Sequence, residues 1–264
     1  MPDDSEQISA AGSMTAQRSY LVASSARDKN RLRSILLESC PAFKALVGLS
    51  DPHCLHMLSE LGGPWGIVDA GKASLGAVTR GAERRKVDAL RKSISASTRP
   101  GNTRIAAENG AARMLARRIA EAVCEADTLT AAISGLLSGD DTYRCPLTVH
   151  GIGPRIASEL AISIDIDEFR SHDRLASYCS LAPRNRQSGT SISSVAASRQ
   201  GNKRPKNLMI FSCNSPTRSR VRFGEYYRHC RDRGMCHGQA LKVTARKRLK
   251  VIYAVMRDRV PYAA

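Results

Sequence analysis

Apolar positions recur at steps of three and four along most of this 264-residue chain, so the elements they predict are helices. Residues 1–14 are polar and small and are expected to be disordered. From Thr15 or Ser25 onward, Leu32, Ile35 and Leu36, then Phe43, Leu46 and Val47, mark a helix that Pro41 should kink or divide. Asp51-Pro52 sets an N-cap before a proline at the first helical position; it opens a short helix over Leu55, Leu58 and Leu61 that Gly62-Gly63-Pro64 closes. Further short helices are broken by Gly71, Gly76, Gly81 and Pro100.

The most regular stretch follows Pro100. Ile105, Ala112, Leu115, Ile119, Ala122, Ala126, Leu129, Ile133 and Leu136 fall at alternating steps of three and four, with Glu108 the one misfit. Unbroken, this heptad seam is about 47 Å of helix and needs a partner along its length. The partner is either the helix before Leu46 or a second copy in a dimer stalk, and heptads alone do not separate the two. Gly139 ends the seam, and Ile192 to Val195 is the only stretch that reads as extended. The organisation expected is a tail over 1–14, a helical linker and coiled-coil segment over 15–138, and a C-terminal domain over 141–260, all-α in the main.

Charge adds a partner. Hydrophobic residues at 42% argue for a folded chain, and 41 Lys+Arg against 24 Asp+Glu leave +17. From Arg199 to Arg259 there are 17 Lys or Arg and three acids, a surplus of 14 concentrated in one quarter of the sequence. Such a footprint favours a polyanion, nucleic acid before an acidic membrane surface. The start, MPDDSEQISAAGSMTAQ, lacks a basic flank followed by an apolar core, and no later apolar run approaches a bilayer's thickness. The expectation is a cytoplasmic protein with no membrane partner. Its eight scattered cysteines are expected to be reduced thiols.

Three stretches carry candidate chemistry. In LTVHGIGPRIASEL, Gly151 and Gly153 permit a tight turn and expose amide N–H groups, while Pro154 suits the first turn of the next helix. Amides at a helix N-terminus attract phosphate, and the pattern resembles the second half of a helix-hairpin-helix, a module that holds DNA backbone. Next, after a short helix from His172 to Cys179 capped by Ser171, comes LAPRNRQSGTS. Arg184 and Arg186, spaced by two, suit a phosphodiester, and Gly189 permits close approach beside Ser188. A serine attacking phosphorus needs deprotonation and charge neutralisation; arginines supply the second, no base is evident nearby, and a Ser-Gly turn is the ordinary alternative. Third, the last helix sets Leu241, Ala245, Leu249, Ile252 and Met256 on one face and Lys242, Arg246, Lys250 and Arg257 around another. Lys203 and Arg204 belong to the same basic set. Tyr226 and Tyr227 lie among arginines, as stacking on nucleic acid would want, with core packing the expectation for one of them. HCRDRGMCH and HCLH contain soft ligands without paired C-x-x-C spacing, so no metal site is assigned.

Taken in order, GIGPRIASEL, LASYCSLAPRNRQSG, RQGNKRPKNLM and GEYYRHCRDRGMCHGQALKVTARKRLKVIYAVMRD resemble the C-terminal transposase domain of the bacterial insertion-sequence-110 family. SSARDKNRLRSILLESCPAF is similar to the helical linker of the same proteins. The resemblance implies a DNA transposition protein in which Ser188, after Pro183-Arg184 and before Gly189, occupies the position of the serine that forms the covalent link to DNA. It also implies a structured guide RNA as partner, and a RuvC-like domain with an Asp-Glu-Asp-Asp metal site. No strand of the Gly-Ile-Asp type opens this chain, and Asp3 and Asp4 sit in a polar tail. The chain is therefore expected to be a truncated copy, with no cofactor of its own and magnesium arriving only with the RuvC-like domain. A homo-oligomer or a complex with a full-length transposase is expected; the alternative is a non-catalytic remnant that acts by binding or dimerising. Pro205 and Pro216 depart from the family's helices: Pro205 is tolerable if Asn202 caps its helix, and Pro216 should end the helix through Leu208 and Phe211.

Overall fold

A computed structural model describes residues 4–41, 48–70, 88–89, 91–92, 94–95, 97–188, 192–197 and 201–263, with residues 4–5, 183–188 and 192–197 given as backbone only. The chain divides into two compact units, one of Ala16–Leu129 and one of Met1–Thr15 with Thr130–Ala264.

Helix α1 (Asp4–Ser39), which belongs to the first unit from Ala16 onward, ends two residues before Pro41, the proline expected to kink or divide it. A residue preceding proline is biased away from the helical region, and the Cys40 N–H makes the last helical bond, to Leu36 O at 3.0 Å. Phe43, Leu46 and Val47 lie outside the described residues, as do Gly71, Gly76 and Gly81. Helix α2 (Pro52–Leu61) opens as its sequence implies, with the Asp51 carboxylate accepting from the His53 N–H at 3.1 Å. At its end Gly62 has a φ of 83°, and the next residue's N–H donates to Asn109 Oδ1 at 2.9 Å. Pro64 then starts the six-residue α3 (Pro64–Asp69).

Helix α4 (Asn102–Leu136) carries the seam. Ile105, Ala112, Leu115 and Ile119 are buried in one cluster with Leu32 and Leu36 of α1 and with Leu55, Leu58, Trp65 and Ile67. The first half of the seam is thus covered from within the chain. Glu108 fits for a polar reason: its carboxylate accepts from Arg104 Nε at 2.6 Å and from the hydroxyl of Ser39, the last residue of α1.

The second unit begins with a departure from expectation. The segment 1–14 is helical from Asp4 instead of disordered, because Ala11 is fully buried in this unit's core and Met14 packs beside it. After α5 (Asp141–Arg144), capped by Asp140, come a 3-10 turn (Cys145–Thr148), α6 (Pro154–Ser163), a second 3-10 turn (Ile166–Glu168) and α7 (His172–Tyr178). Ser171 Oγ caps α7 by accepting from the Arg174 N–H at 3.4 Å.

An antiparallel hairpin follows, β1 (Pro183–Ser188) paired with β2 (Ile192–Ala197) from Pro183↔Ala197 to Ser188↔Ile192. The second strand covers the stretch expected to be extended; the first is a strand where its polar composition suggests a loop. Four helices complete the unit: α8 (Lys203–Phe211), α9 (Asn214–Thr217), α10 (Arg222–Asp232) and α11 (His237–Asp258). Asn202 caps α8 by accepting from the Arg204 N–H at 3.0 Å, so Pro205 lies in the first turn where no donor is needed. The helix ends at Phe211, and Pro216 occupies the separate turn of α9. α11 is the centre of the packing, meeting α7, α8 and α10. Its apolar stripe Leu241, Ala245, Leu249, Ile252 and Met256 is buried. Apart from the hairpin, the described fold is helical, in keeping with an all-α class.

Candidate nucleic-acid interface

The turn before α6 contains two glycines with different duties. Gly151 takes a left-handed φ of 82°, and a Cβ on it would come within 2.6 Å of Pro216 Cδ and 3.1 Å of Ser212 O. Its role is to let α9 pack against the turn. Gly153 stands at the N-cap of α6 without a side-chain cap, is exposed, and has no heavy atom within 4 Å of where its Cβ would be. The amide-lined end of α6 is therefore open at Gly153 and covered at Gly151.

On α6, Glu159 is buried between two cations, with Arg155 Nε at 3.5 Å and Arg204 Nε at 3.6 Å. Arg204 is thus already engaged with a carboxylate. Lys203 beside it is exposed. Arg155 also lies over the exposed ring of Phe211, 5.1 Å from its centroid.

Positions 184, 186 and 188 alternate along β1, opposite Ala196, Ser194 and Ile192, so Arg184, Arg186 and Ser188 fall on one side of the ribbon. Gly189, at the turn, lies outside the described residues.

Along α11 the basic positions divide into three kinds. Lys242 and Lys250 are exposed. Arg246 is tied to α7, its Nη2 3.2 Å from Asp173 Oδ1, and Arg257 Nη1 donates to Phe169 O at 3.0 Å. Arg248 is fully buried. Its Nε donates to Ser212 Oγ at 3.3 Å, both terminal nitrogens lack a hydrogen-bond partner, and the guanidinium lies 4.8 Å from the centroid of Phe223. Burial pulls its pKa below the usual arginine range. Its position was readable: residue 248 is three after Ala245 and seven after Leu241, within the apolar stripe. Asp173 and Glu159, the carboxylates that engage the basic set, carried no such signal.

The two tyrosines of α10 differ as well. Tyr227 packs against the core and its Oη lies 2.6 Å from His237 Nδ1, whereas the ring of Tyr226 lies under Lys247 Nζ at 3.8 Å. All eight cysteines are free. Burial pushes Cys179 up to about 12 and Cys213 up to about 11. Among the described residues no group of three or more His, Cys, Asp or Glu side chains gathers where a metal would be held, the two His/Cys stretches included. Nor, among them, is any helix long and apolar enough to cross a membrane.

Residues 144–228, from the end of α5 to the middle of α10, match the model of the transposase IS116/IS110/IS902 family. They enclose the glycine turn, the hairpin and the Arg204–Glu159–Arg155 cluster. This segment carries a domain of that family. The chain is 30% identical over 249 residues to an uncharacterized 43.6 kDa protein of insertion element IS110 from Streptomyces coelicolor, covering 90% of this chain and 60% of that one. It is 26% identical to an uncharacterized 42 kDa protein of insertion element IS900 from Mycobacterium paratuberculosis, covering 94% of this chain and 64% of the relative. A shorter similarity, 35% over 126 residues, links 46% of this chain with 39% of a pilin gene-inverting protein of Moraxella lacunata. The chain spans about three fifths of the length of the insertion-element proteins it matches.

Proposed function

We propose that this chain, through its domain of the IS116/IS110/IS902 family, acts in DNA transposition as the part of the machinery that holds DNA and carries the attacking serine. The observation that carries the reading is the family match over residues 144–228, which contains the Pro-Arg-x-x-x-Ser-Gly block with Ser188 at the end of β1. Phosphates are met by the open Gly153 end of α6, read as the hairpin of a helix-hairpin-helix, and by Arg184, Arg186, Lys203, Lys242 and Lys250. A structured guide RNA is the second polyanion suited to this surface. The name of the Moraxella relative, a gene-inverting protein, fits a group of proteins that rearrange DNA.

Strand attack also needs the serine proton removed and the phosphorane charge neutralised. By the resemblance, magnesium held by the acidic residues of a RuvC-like domain would supply that charge neutralisation and activation. This chain's own residues bind and orient; the second reading is a non-catalytic protein that acts by binding nucleic acid or dimerising, supported by the surplus of 14 basic residues between Arg199 and Arg259.

The two readings separate on covalent chemistry. The test is Mg²⁺-dependent formation of a protein–DNA adduct, run on the 264-residue chain alone and again with a RuvC-like domain and guide RNA of the family, with Ser188→Ala as control. An adduct abolished by Ser188→Ala supports the serine reading, and no adduct in either setting leaves binding as the function.

A further inference from the structure

The residues that precede and follow the hairpin in the chain, Tyr178–Ser180 and Gly201–Asn202, are fastened to one another. After α7 the chain turns through Cys179 and Ser180, the latter with a φ of 51°, a left-handed conformation uncommon for a residue with a side chain, before β1 begins at Pro183. On the return, Gly201 has a φ of 114°, and a Cβ there would stand 2.6 Å from both Ser180 Oγ and Tyr178 O. Only glycine permits that approach. The next residue, Asn202, uses every polar group on its N-terminal side and side chain. Its backbone N–H donates to Tyr178 O at 2.9 Å, its Nδ2 donates to Tyr178 Oη at 2.9 Å, and its Oδ1 accepts from the Arg204 N–H at 3.0 Å. Tyr178 is in turn backed by Phe169, with ring centroids 5.3 Å apart.

We infer that Asn202 is a positioning residue for the hairpin that bears Ser188. One side chain joins the end of α7 to the start of α8, the two helix ends between which the hairpin is inserted in the chain, and we assign to that junction the direction in which the ribbon leaves the helical unit. From Pro183 to Ser188 the strand runs about 17 Å, so a rotation of about 5° at the base displaces the far end by about 1.5 Å. A displacement of that size is enough to lose an in-line attack geometry. The consequence for catalysis rests on the proposed role of Ser188; the fastening itself does not.

The variants follow from the bonds. Asn202→Ser keeps a capping oxygen but falls short of Tyr178; Asn202→Asp keeps the cap and offers a second oxygen to which the Tyr178 O–H donates. In the full chain, hydrogen exchange of the amides in 184–188 and 192–197 accelerates about two- to fivefold in Asn202→Ser and is restored in Asn202→Asp. Adding Tyr178→Phe to Asn202→Asp removes the hydroxyl that donates to the carboxylate and returns the Ser behaviour. Unchanged exchange in Asn202→Ser, or acceleration spread evenly over the whole unit, overturns the inference. In the adduct reaction, Asn202→Ser slows adduct formation at an unchanged DNA dissociation constant, and an undiminished rate overturns positioning. If wild type forms no Ser188 adduct while the exchange pattern holds, the nucleophile reading fails and the fastening stands.

Discussion

Gly151 lies under Pro216 with no space for a side chain: a Cβ on the glycine would be 2.6 Å from Pro216 Cδ and 2.8 Å from its Cγ. The contact joins the turn before α6 to the turn of α9, 65 residues later in the chain. Gly151→Ala adds a left-handed strain to an overlap with a buried ring, and is expected to cost about 3 kcal/mol or more. Gly153→Ala, at an extended φ of −97° with open space around it, is expected to stay within about 1 kcal/mol of wild type. Urea unfolding of the two variants measures the difference.

Nucleic-acid binding is expected to weaken steeply with salt, since each phosphate neutralised releases counterions. Lys242→Glu with Lys250→Glu, both at exposed sites, should reduce affinity for all sequences alike and lower the log–log salt slope by about 0.9 for each phosphate no longer neutralised. A titration of duplex DNA and structured RNA at several salt concentrations reads both effects; weakening confined to one sequence would point to base reading at α11 instead.

Ile119 and Leu129 separate the two partners considered for the seam. Ile119 is fully buried with Leu32 and Leu36 of the same chain, so Ile119→Asp is expected to destabilise the fold by about 3 kcal/mol or more in a monomer as in a dimer. Leu129 is half-buried, and Leu129→Asp should leave the fold near wild type and lower any self-association. Sedimentation beside thermal unfolding checks the pair, and equal monomers from wild type and Leu129→Asp would remove the stalk.

Alkaline pH should destabilise the second unit. Cys179 and Cys213 hold their protons up to about 12 and about 11 when folded, against about 9 for an exposed thiol. Between those values the unfolded chain has released protons that the native chain keeps, so stability is full below about pH 9 and falls as pH rises. Cys179→Ala with Cys213→Ala should flatten this slope in denaturation between about pH 8 and 10.5. In the native protein, alkylation at about pH 8 should reach the exposed Cys124 and Cys236 first.

What was legible in the sequence is what acts over a few residues. Asp51, Ser171 and Asn202 cap their helices as their spacing implies, since a cap joins a side chain to a backbone N–H two or three positions on. The stripe of α11 was legible for the same reason, as periodicity is local. Strand β1 was not. Pro-Arg-Asn-Arg-Gln-Ser holds no β-branched or aromatic residue, and its extended form comes from pairing with β2. The tail's helix was hidden because Ala11 gains its burial from a core built by residues after 130. Of the candidate interface, the basic residues were visible but their engagement was not: Arg246 finds Asp173 across 73 positions, and Arg204 finds Glu159 across 45.

The hairpin has one property that a larger sheet would lack. Among the described residues the sheet has two strands, so each is an outer strand, and neither has a neighbour on its far side. In such a ladder half of each strand's backbone donors and acceptors point away from the partner strand. β1 and β2 therefore pair through one edge each, and among the described residues the ribbon draws no support from a further strand.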